Sequence, residues 1–459
     1  MTRARGYLLY FGFAFTALIF SLTYVYLFGN PRVSYDGWQY LASAKAIIDN
    51  SLAENYFWVR QPGYPLIIAL SSLISESLWF LFGTQILCFI LAYTYFIHEC
   101  RRYFKEQSTQ EYFALASINF VFLLIFIGGY FIFVAPQAIT SAFLLILTGG
   151  ILRTWALMKS KSLDKTFERK NHSSIFLCLF FPMMSVVGFC LSSFIGILPI
   201  ACLLLLLLLS LHNVLKNRDF RKIESFRIIS KWLFPIILSS VAYILVYTIW
   251  ENLLTNALSD RYFNYENLKD PFWGQGVTSY FRNLYTEPTL LHYIPASFLA
   301  LIMFIPNQGW NGITIQHSQN SHSQNGDIGF GLFSTNYGQC VSSPPDVLTV
   351  NQSFISNFLW RETCSFTKID LPLLLYPAIF LAWVALCSFW IWKLCSKGNA
   401  FTFVASAPIL FFIGTYTVFG GGIDRYGSPA YPVISFLAIF SIYDLYSSRK
   451  RNPIKGDLK

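Results

Sequence analysis

Three charged side chains stand in short polar segments of a chain that is otherwise largely apolar. Asp36 and Arg60 belong to a polar stretch that follows the first apolar segment, and Arg425 lies shortly before the last one. A carboxylate in a suitable position removes a proton from a hydroxyl group. A guanidinium group stays charged and binds a phosphate through two parallel hydrogen bonds. Together these residue types suit group transfer that involves a phosphate at a membrane surface.

Each of these residues also has a simpler interpretation. Asp36 precedes a predicted helix that starts near Trp38, and aspartate is a favoured residue at helix N-termini. Arginines next to apolar segments often extend along the lipid and place their charge among the headgroups. These alternatives stay open for each residue when it is taken alone.

The composition indicates an integral membrane protein. Of the 459 residues, 55% are hydrophobic and only 12% are charged. A soluble domain of this length needs far more charge to cover its surface. Apolar runs of about 20 residues recur along the chain and match the ~30 Å hydrocarbon core of a bilayer. We therefore predict an all-α, polytopic transmembrane helical protein with about ten spans (10–12), in contact with membrane lipids and organised as a single domain over residues 1–459.

The predicted spans follow from the lengths of the apolar runs and the charges between them. They cover about residues 7–28, 78–98, 112–134, 138–157, 174–192, 194–212, 232–250, 371–394, 401–420 and 429–446. Two further apolar segments, 64–74 and 290–305, are too short to cross the bilayer easily. We predict that both form helices at the outer leaflet or dipping into it.

The distribution of charge predicts the orientation of these spans. With a cytoplasmic N-terminus, 24 of the 33 Lys and Arg residues fall in the segments on the cytoplasmic side. This excess is what the positive-inside rule produces, and it places both termini in the cytoplasm. It also accounts for the formal net charge of +10 without a nucleic-acid partner, and none is predicted.

Two of the predicted outward loops are long. The first, 29–63, contains a helical pattern over 38–48 with an apolar stripe on one side and polar residues on the other, as in a helix that lies on a membrane. The stripe comprises Tyr40, Leu41, Ala44 and Ile48, and the polar side comprises Gln39, Ser43 and Lys45. The second loop, 251–370, holds Cys340 and Cys364, which form either a disulfide or two separate thiols.

The two arginines are followed by similar sequences. Arg60 precedes Gln-Pro-Gly-Tyr-Pro, Arg425 precedes Tyr-Gly-Ser-Pro-Ala-Tyr-Pro, and an apolar run follows each. An acidic residue after the first span, a short amphipathic helix and these proline-rich helix starts resemble the GT-C superfamily of integral-membrane glycosyltransferases. The resemblance is to its protein O-mannosyltransferase and aminoarabinose transferase branch, and in size and layout to seroconverting O-antigen glucosyltransferases.

The resemblance implies roles for particular residues. The family's general base matches Asp36, and its basic residues that hold the lipid-linked phosphate match Arg60 and Arg425. Gln137 stands where the family often has a second carboxylate, so a two-carboxylate metal site is not expected, and no divalent metal or other cofactor is predicted. Other side chains that are expected to line the site are Tyr40, Tyr64, Tyr431 and Asp424. Aromatic residues are also common at both membrane interfaces, which is the alternative for the three tyrosines.

The expected function is the transfer of a sugar from a polyprenyl-phosphate donor to an acceptor hydroxyl, with inversion at the anomeric carbon. The acceptor is expected to be O-antigen or another cell-surface glycan, on the periplasmic side of a bacterial inner membrane. An O-antigen polymerase or ligase, with its essential charges in 251–370, is an alternative. A flippase or transporter for lipid-linked sugars is another, although transporters usually carry ionisable residues near the midplane, where these spans have almost none. The sequence does not specify the sugar, the acceptor, the linkage or the length of the carrier.

Overall fold

The computed structural model describes residues 3–28, 35–51, 61–75, 78–104, 108–131, 134–160, 168–216, 222–258, 375–396, 400–419 and 427–451. Within these ranges the chain forms helices and turns, and no β-strand. The predicted all-α class is confirmed for this part of the chain. The predicted short helix at 290–305, and most of the long loop predicted at 251–370, lie outside the described residues.

Each of the ten predicted spans overlaps one of the described α-helices, without this establishing that the helix crosses a membrane. They are α1 (Arg3–Phe28), α2 (Tyr35–Ile48), α3 (Gly63–Ile74), α4 (Leu78–Cys100), α5 (Thr109–Phe131), α6 (Gln137–Ser160), α7 (Glu168–Leu191), α8 (Ser193–Lys216), α9 (Lys222–Leu258), α10 (Leu375–Cys395), α11 (Ala400–Phe419) and α12 (Tyr431–Arg451). A short 3-10 helix, η1 (Ser428–Ala430), immediately precedes α12.

Six of these helices contain a stretch that is long and apolar enough to cross a membrane, counted over the described residues alone. The stretches are Trp79–Cys100, Gln137–Leu157, Ser193–His212, Trp232–Leu253, Ala400–Thr417 and Ser428–Ser447. Helices of this length and composition are typical of a membrane protein. The total of about ten spans stays a prediction.

Helix α6 lies at the centre of the described bundle. It contacts α4, α7, α11 and η1, and it is the most buried of the six candidate spans. Two adjacent glycines allow its neighbours to approach. A Cβ atom on Gly149 would lie 2.7 Å from the Tyr95 ring of α4, and one on Gly150 would overlap the Phe180 ring of α7. Small residues at such contacts let membrane helices pack closely.

The helix ends collect at two opposite ends of the molecule. At one of them the Tyr10 ring of α1 meets the His98 ring of α4, with centroids 5.0 Å apart. The Tyr103 ring, just after α4, stacks on Trp155 near the end of α6 at 5.4 Å. Glu99 is buried in the same region, which we call the Glu99 end. The start of α1 and the ends of α4 and α6 therefore lie together.

The opposite end, which we call the Tyr64 end, contains the first turn of α3, the end of α5 and the start of α6. Tyr64 and Phe131 are linked there through the Gln85 side chain of α4. Helices α4, α5 and α6 thus run alternately from one end to the other, as the predicted succession of spans requires. The side of the membrane that each end faces stays a prediction.

Helix α2 confirms the helical pattern predicted over 38–48 but differs from the prediction in its surroundings. Leu41 and Ala44, on the predicted apolar stripe, are buried. Ser43, predicted on the polar side, is buried as well, so the prediction of a one-sided helix lying on the membrane is wrong at this residue. The physical reason is that protein covers more than one side of α2, since the consecutive residues 41–44 are all buried.

Candidate functional site

Tyr64 connects several elements at the Tyr64 end. Its ring meets the Tyr40 ring of α2 edge-on, with centroids 5.0 Å apart. Its hydroxyl group donates to Oε1 of Gln85 at 3.3 Å, and Nε2 of Gln85 donates to the carbonyl oxygen of Phe131 at 3.3 Å. The Tyr64 phenol also lies next to the backbone of Ala135, which lowers its pKa. One side chain therefore links α2, α4 and the turn that leads into α6.

The residues around Tyr64 explain how α3 begins. Pro62 precedes the helix and Pro65 lies in its first turn, where a missing N–H group costs no helical hydrogen bond. Gly63 packs directly onto α7, because a Cβ atom there would lie only 2.6 Å from the carbonyl oxygen of Cys190. That neighbour is backbone, so no side-chain rotation relieves the overlap. The Pro-Gly-Tyr-Pro sequence starts the helix and holds it against α7.

The protonation state of Tyr64 follows from its surroundings. Burial raises the pKa of the Tyr64 phenol well above its ordinary value, and the neighbouring Tyr40 raises it further, whereas the Ala135 backbone lowers it. The phenol therefore stays protonated at neutral pH. It acts as a hydrogen-bond donor to Gln85 and not as a base.

The second proline-rich sequence has a comparable role at the start of α12. Residues Ser428–Ala430 form η1, which is buried and packs against α6 and α11. Tyr431 follows as the first residue of α12, and its ring centroid lies 4.5 Å from that of Trp383 in α10. Each arginine-containing motif thus leads into a helix whose first-turn tyrosine is buried in the bundle.

Among the described residues, two buried polar groups of α6 and α11 have no hydrogen-bond partner. Gln137, the first residue of α6, is 6% exposed, and its Oε1 atom accepts no hydrogen bond. Thr417, near the end of α11, is 5% exposed, and its hydroxyl group has no partner. By contrast, Thr415 in the same helix donates to the carbonyl oxygen of Phe411 at 2.7 Å, as helical threonines commonly do. Buried polar groups without a partner are uncommon in folded proteins and destabilise them.

The structure brings some of the predicted site residues together. Tyr40 and Tyr64 are in ring contact. Gln137 lies two positions after Ala135, and the backbone of Ala135 contacts Tyr64. Tyr431 makes its ring contact with a different helix, α10.

The charged residues of the predicted site are described only in part. Asp36 lies in the first turn of α2, and the position of its side chain is outside the described part of the structure. Arg60, Asp424 and Arg425 also lie outside the described residues. A meeting of the Asp36 carboxylate with the two guanidinium groups therefore stays a prediction.

Gln85 and Thr417 belong to this region and were not predicted from the sequence. Gln85 carries a signal that could have identified it, because it is an amide inside the apolar stretch 79–100, and such groups are usually hydrogen-bonded between elements. Thr417 carries no comparable signal, since a threonine in an apolar helix ordinarily bonds to its own backbone.

The described residues contain no group of three or more His, Cys, Asp or Glu side chains arranged to hold a metal ion. Comparison with protein-family models, with curated proteins and with solved structures gives no match.

Proposed function

We propose that this protein is a glycosyltransferase that moves a sugar from a polyprenyl-phosphate donor to an acceptor hydroxyl of a surface glycan such as O-antigen. The reaction takes place at the Tyr64 end, which faces the periplasm of a bacterial inner membrane. Asp36 is the general base, and Arg60 and Arg425 bind the donor phosphate. The reaction needs no divalent metal or other cofactor.

The packing of α2 on α3 is the observation that carries this proposal. Asp36 lies one helical turn before Tyr40, about 6 Å along the axis of α2. The Tyr40 ring contacts Tyr64, which follows Arg60 by four residues in the sequence. This contact supports a carboxylate and a guanidinium group at one end of the molecule. Helix η1 begins three residues after Arg425 and is buried against α6, which supports a contribution from the second motif to the same half of the bundle.

The chemistry follows from the residue types. Asp36 takes the proton of the acceptor hydroxyl as its oxygen attacks the anomeric carbon. The bond between that carbon and the phosphate oxygen breaks, its electron pair leaves with the phosphate, and the guanidinium groups stabilise the charge that develops there. Attack opposite the leaving phosphate inverts the anomeric configuration. A general base typically contributes about 10²–10⁴-fold, and each well-placed donor on the developing charge about 10²–10³-fold.

The test is the substitution Asp36→Asn, which preserves the size of the side chain and removes the base. We expect sugar addition to fall by about 10²–10⁴-fold, measured as the mass of the surface glycan in cells with equal amounts of folded protein. The matched control is Asp49→Asn. Asp49 follows the other end of α2, is exposed and pairs with Lys45 at 2.6 Å, so this variant is expected to add sugar as the wild type does.

The same comparison separates the proposal from its alternative. A polymerase or ligase with its essential charges in 251–370 tolerates Asp36→Asn and loses activity when those charges are removed. That pattern of results would overturn the assignment of Asp36.

A further inference from the structure

We propose that one side of α4, between α1 and α6, binds a single anionic phospholipid at the Glu99 end. The lipid phosphate contacts Arg102 and Arg153, and an acyl chain lies along Leu91 and Leu87. Cationic and apolar side chains follow each other on this side of the helix, and they carry the inference independently of the proposed function.

This side of α4, which we call the α4 face, changes from apolar to cationic along its length. Its side chains are three or four positions apart in the sequence and are therefore neighbours on the helix surface. They are Leu87, Leu91, Tyr95 and His98, followed by Arg102 in the turn after the helix. Leu87 is 46% exposed and Leu91 is 57% exposed, so protein leaves the apolar part of the face open.

Helices α1 and α6 border the α4 face. The Tyr10 ring of α1 meets the His98 ring with centroids 5.0 Å apart. The Tyr95 ring lies against Gly149 of α6, where a Cβ atom would be 2.7 Å from the ring. His98 and Tyr95 are three residues apart and diverge towards the two borders of the face. The open strip between α1 and α6 is therefore about as wide as one row of side chains.

Two guanidinium groups lie at the cationic part of the α4 face. Nε of Arg102 is 3.3 Å from Oε2 of Glu99, and the Arg102 side chain is 40% exposed. Arg153 of α6 lies next to the Tyr95 phenol, and its guanidinium carbon is 4.5 Å from the centroid of the Phe176 ring. Both arginines interact electrostatically with Glu99. Two guanidinium charges and one carboxylate leave one positive charge, which matches the single negative charge of a phosphodiester.

The apolar part of the face favours a phospholipid over a free phosphate. Leu91 lies about 16 Å from Arg102 along the axis of α4. This length is close to half of the ~30 Å hydrocarbon core, so a lipid with its phosphate at Arg102 places an acyl chain beside Leu91. Basic pockets between membrane helices bind anionic headgroups in this way. Phosphatidylethanolamine carries an ammonium group besides its phosphate, so the surplus positive charge favours phosphatidylglycerol.

Native mass spectrometry of the purified full-length protein, titrated in detergent with each lipid, measures this binding. We expect one phosphatidylglycerol to bind more tightly than phosphatidylethanolamine. Arg102→Gln and Arg153→Gln are each expected to weaken the binding of that phosphatidylglycerol by about 3- to 10-fold, the effect of one cation at a membrane surface. Glu99→Gln is expected to strengthen it by a similar factor, because it removes the carboxylate that offsets one guanidinium charge.

The opposite sign expected for Glu99→Gln separates lipid binding from a structural role of the ion pair. If Glu99 and Arg102 only stabilise the fold, Glu99→Gln binds phosphatidylglycerol no more tightly than the wild type, and this result would overturn the inference. Equal binding of phosphatidylglycerol and phosphatidylethanolamine by the wild type would also overturn it.

Two controls test the location of the site and the need for an acyl chain. Lys393→Gln removes a positive charge from the last turn of α10, and it is expected to bind phosphatidylglycerol as the wild type does. Weakening equal to that of Arg102→Gln would show a general effect of charge and no site on α4. Glycerol 3-phosphate is expected not to displace the lipid, and displacement would show a site for free phosphate instead. None of these measurements involves sugar transfer, so their outcome is separate from that of the proposed function.

Discussion

At the scale of single residues, the hydroxyl group of Tyr64 makes a contribution of its own. Phenylalanine would fill the same space between α2 and α4, and only this hydroxyl group would disappear. That group reaches Gln85, which in turn reaches the backbone at Phe131. The phenol therefore contributes through hydrogen bonds between elements, in addition to the apolar contact of its ring with Tyr40.

The substitution Tyr64→Phe tests this contribution. We expect it to lower the free energy of unfolding by about 0.5–1.5 kcal/mol, because the buried Gln85 amide loses a donor. The raised pKa of Tyr64 means that the protonated phenol stabilises the folded state. The difference between wild type and variant should thus be complete below the pKa of an unfolded tyrosine, near 10, and decrease as pH rises further.

A double-mutant cycle with Gln85→Met provides the control for Tyr64→Phe. The double variant should lose less stability than the two single variants together, because each single change already breaks the same hydrogen bond. Strict additivity in chemical unfolding would show that the two side chains do not interact.

The sequence places Tyr40 and Tyr64 among the residues expected to line the site. Their rings are in contact, and a role in a site stays a prediction. The link through Gln85 was not predicted. It depends on how far α3 leans towards α4, and this geometry is determined by packing between distant segments and not by local residue type.

At the scale of helices, the placement of α3 depends on the absence of one side chain. Gly63 lies against the Cys190 backbone, so the start of α3 is held between α2 on one side and α7 on the other. The helix that follows the Arg60 motif is thereby fixed to the bundle. Any displacement of α3 would also move Tyr64 away from Gln85.

We predict that Gly63→Ala destabilises the protein by about 1–3 kcal/mol, the usual effect of forcing an extra group into a packed contact. The control is Gly83→Ala in α4, where a Cβ atom meets nothing within 4 Å. Alanine favours helix more than glycine does, so the control should be as stable as the wild type or slightly more stable. Thermal unfolding in detergent measures both, and equal stability of the two variants would show that α3 is free to shift from α7.

The lengths of the apolar runs predicted which segments become helices, because a run of about 20 apolar residues has few other conformations within a bilayer. The same reasoning did not predict the burial of Ser43 in α2. A stripe of apolar residues identifies one covered side of a helix. Whether protein covers a further side depends on neighbours that the local pattern does not reveal.

At the scale of the whole molecule, the helix ends form two groups that differ in their described side-chain contacts. The Glu99 end contains the arginines that follow α4, with Nε of Arg102 at 3.3 Å from Oε2 of Glu99 in an ion pair whose geometry makes no hydrogen bond. At the Tyr64 end, the described ring contact and hydrogen bonds of Tyr64 are made with uncharged side chains, Tyr40 and Gln85. From the positive-inside rule we predict that the Glu99 end faces the cytoplasm.

Cys395 tests this orientation. It is the last residue of α10 and is exposed. It lies at the Glu99 end, because Trp390 of α10 bonds to Ser406 near the start of α11, where Phe401 packs on Tyr103. A membrane-impermeant maleimide should label Cys395 in inside-out vesicles and leave it unmodified in intact spheroplasts, as measured by peptide mass spectrometry. The Cys395→Ser variant should lose this labelled peptide. Labelling in intact spheroplasts would place the Glu99 end outside the cytoplasm and reverse the predicted topology.

The sequence predicted the helical class of the molecule, because the length of an apolar run is a local quantity. It did not predict α6 as the central helix. That position depends on Gly149 and Gly150, whose missing side chains admit α4 and α7, and a pair of glycines in a sequence does not show which neighbours approach it.

Sugar transfer by the purified protein is the most direct measurement of the central claim. The protein would be reconstituted in vesicles with isotope-labelled polyprenyl-phosphate hexose and isolated envelope glycan, and label in the glycan would be followed by mass spectrometry and NMR. We predict that the wild type transfers the label with inverted anomeric configuration, and that Asp36→Asn does so about 10²–10⁴-fold more slowly. No label in the glycan with the wild-type protein, or equal rates for wild type and Asp36→Asn, would contradict the proposed function.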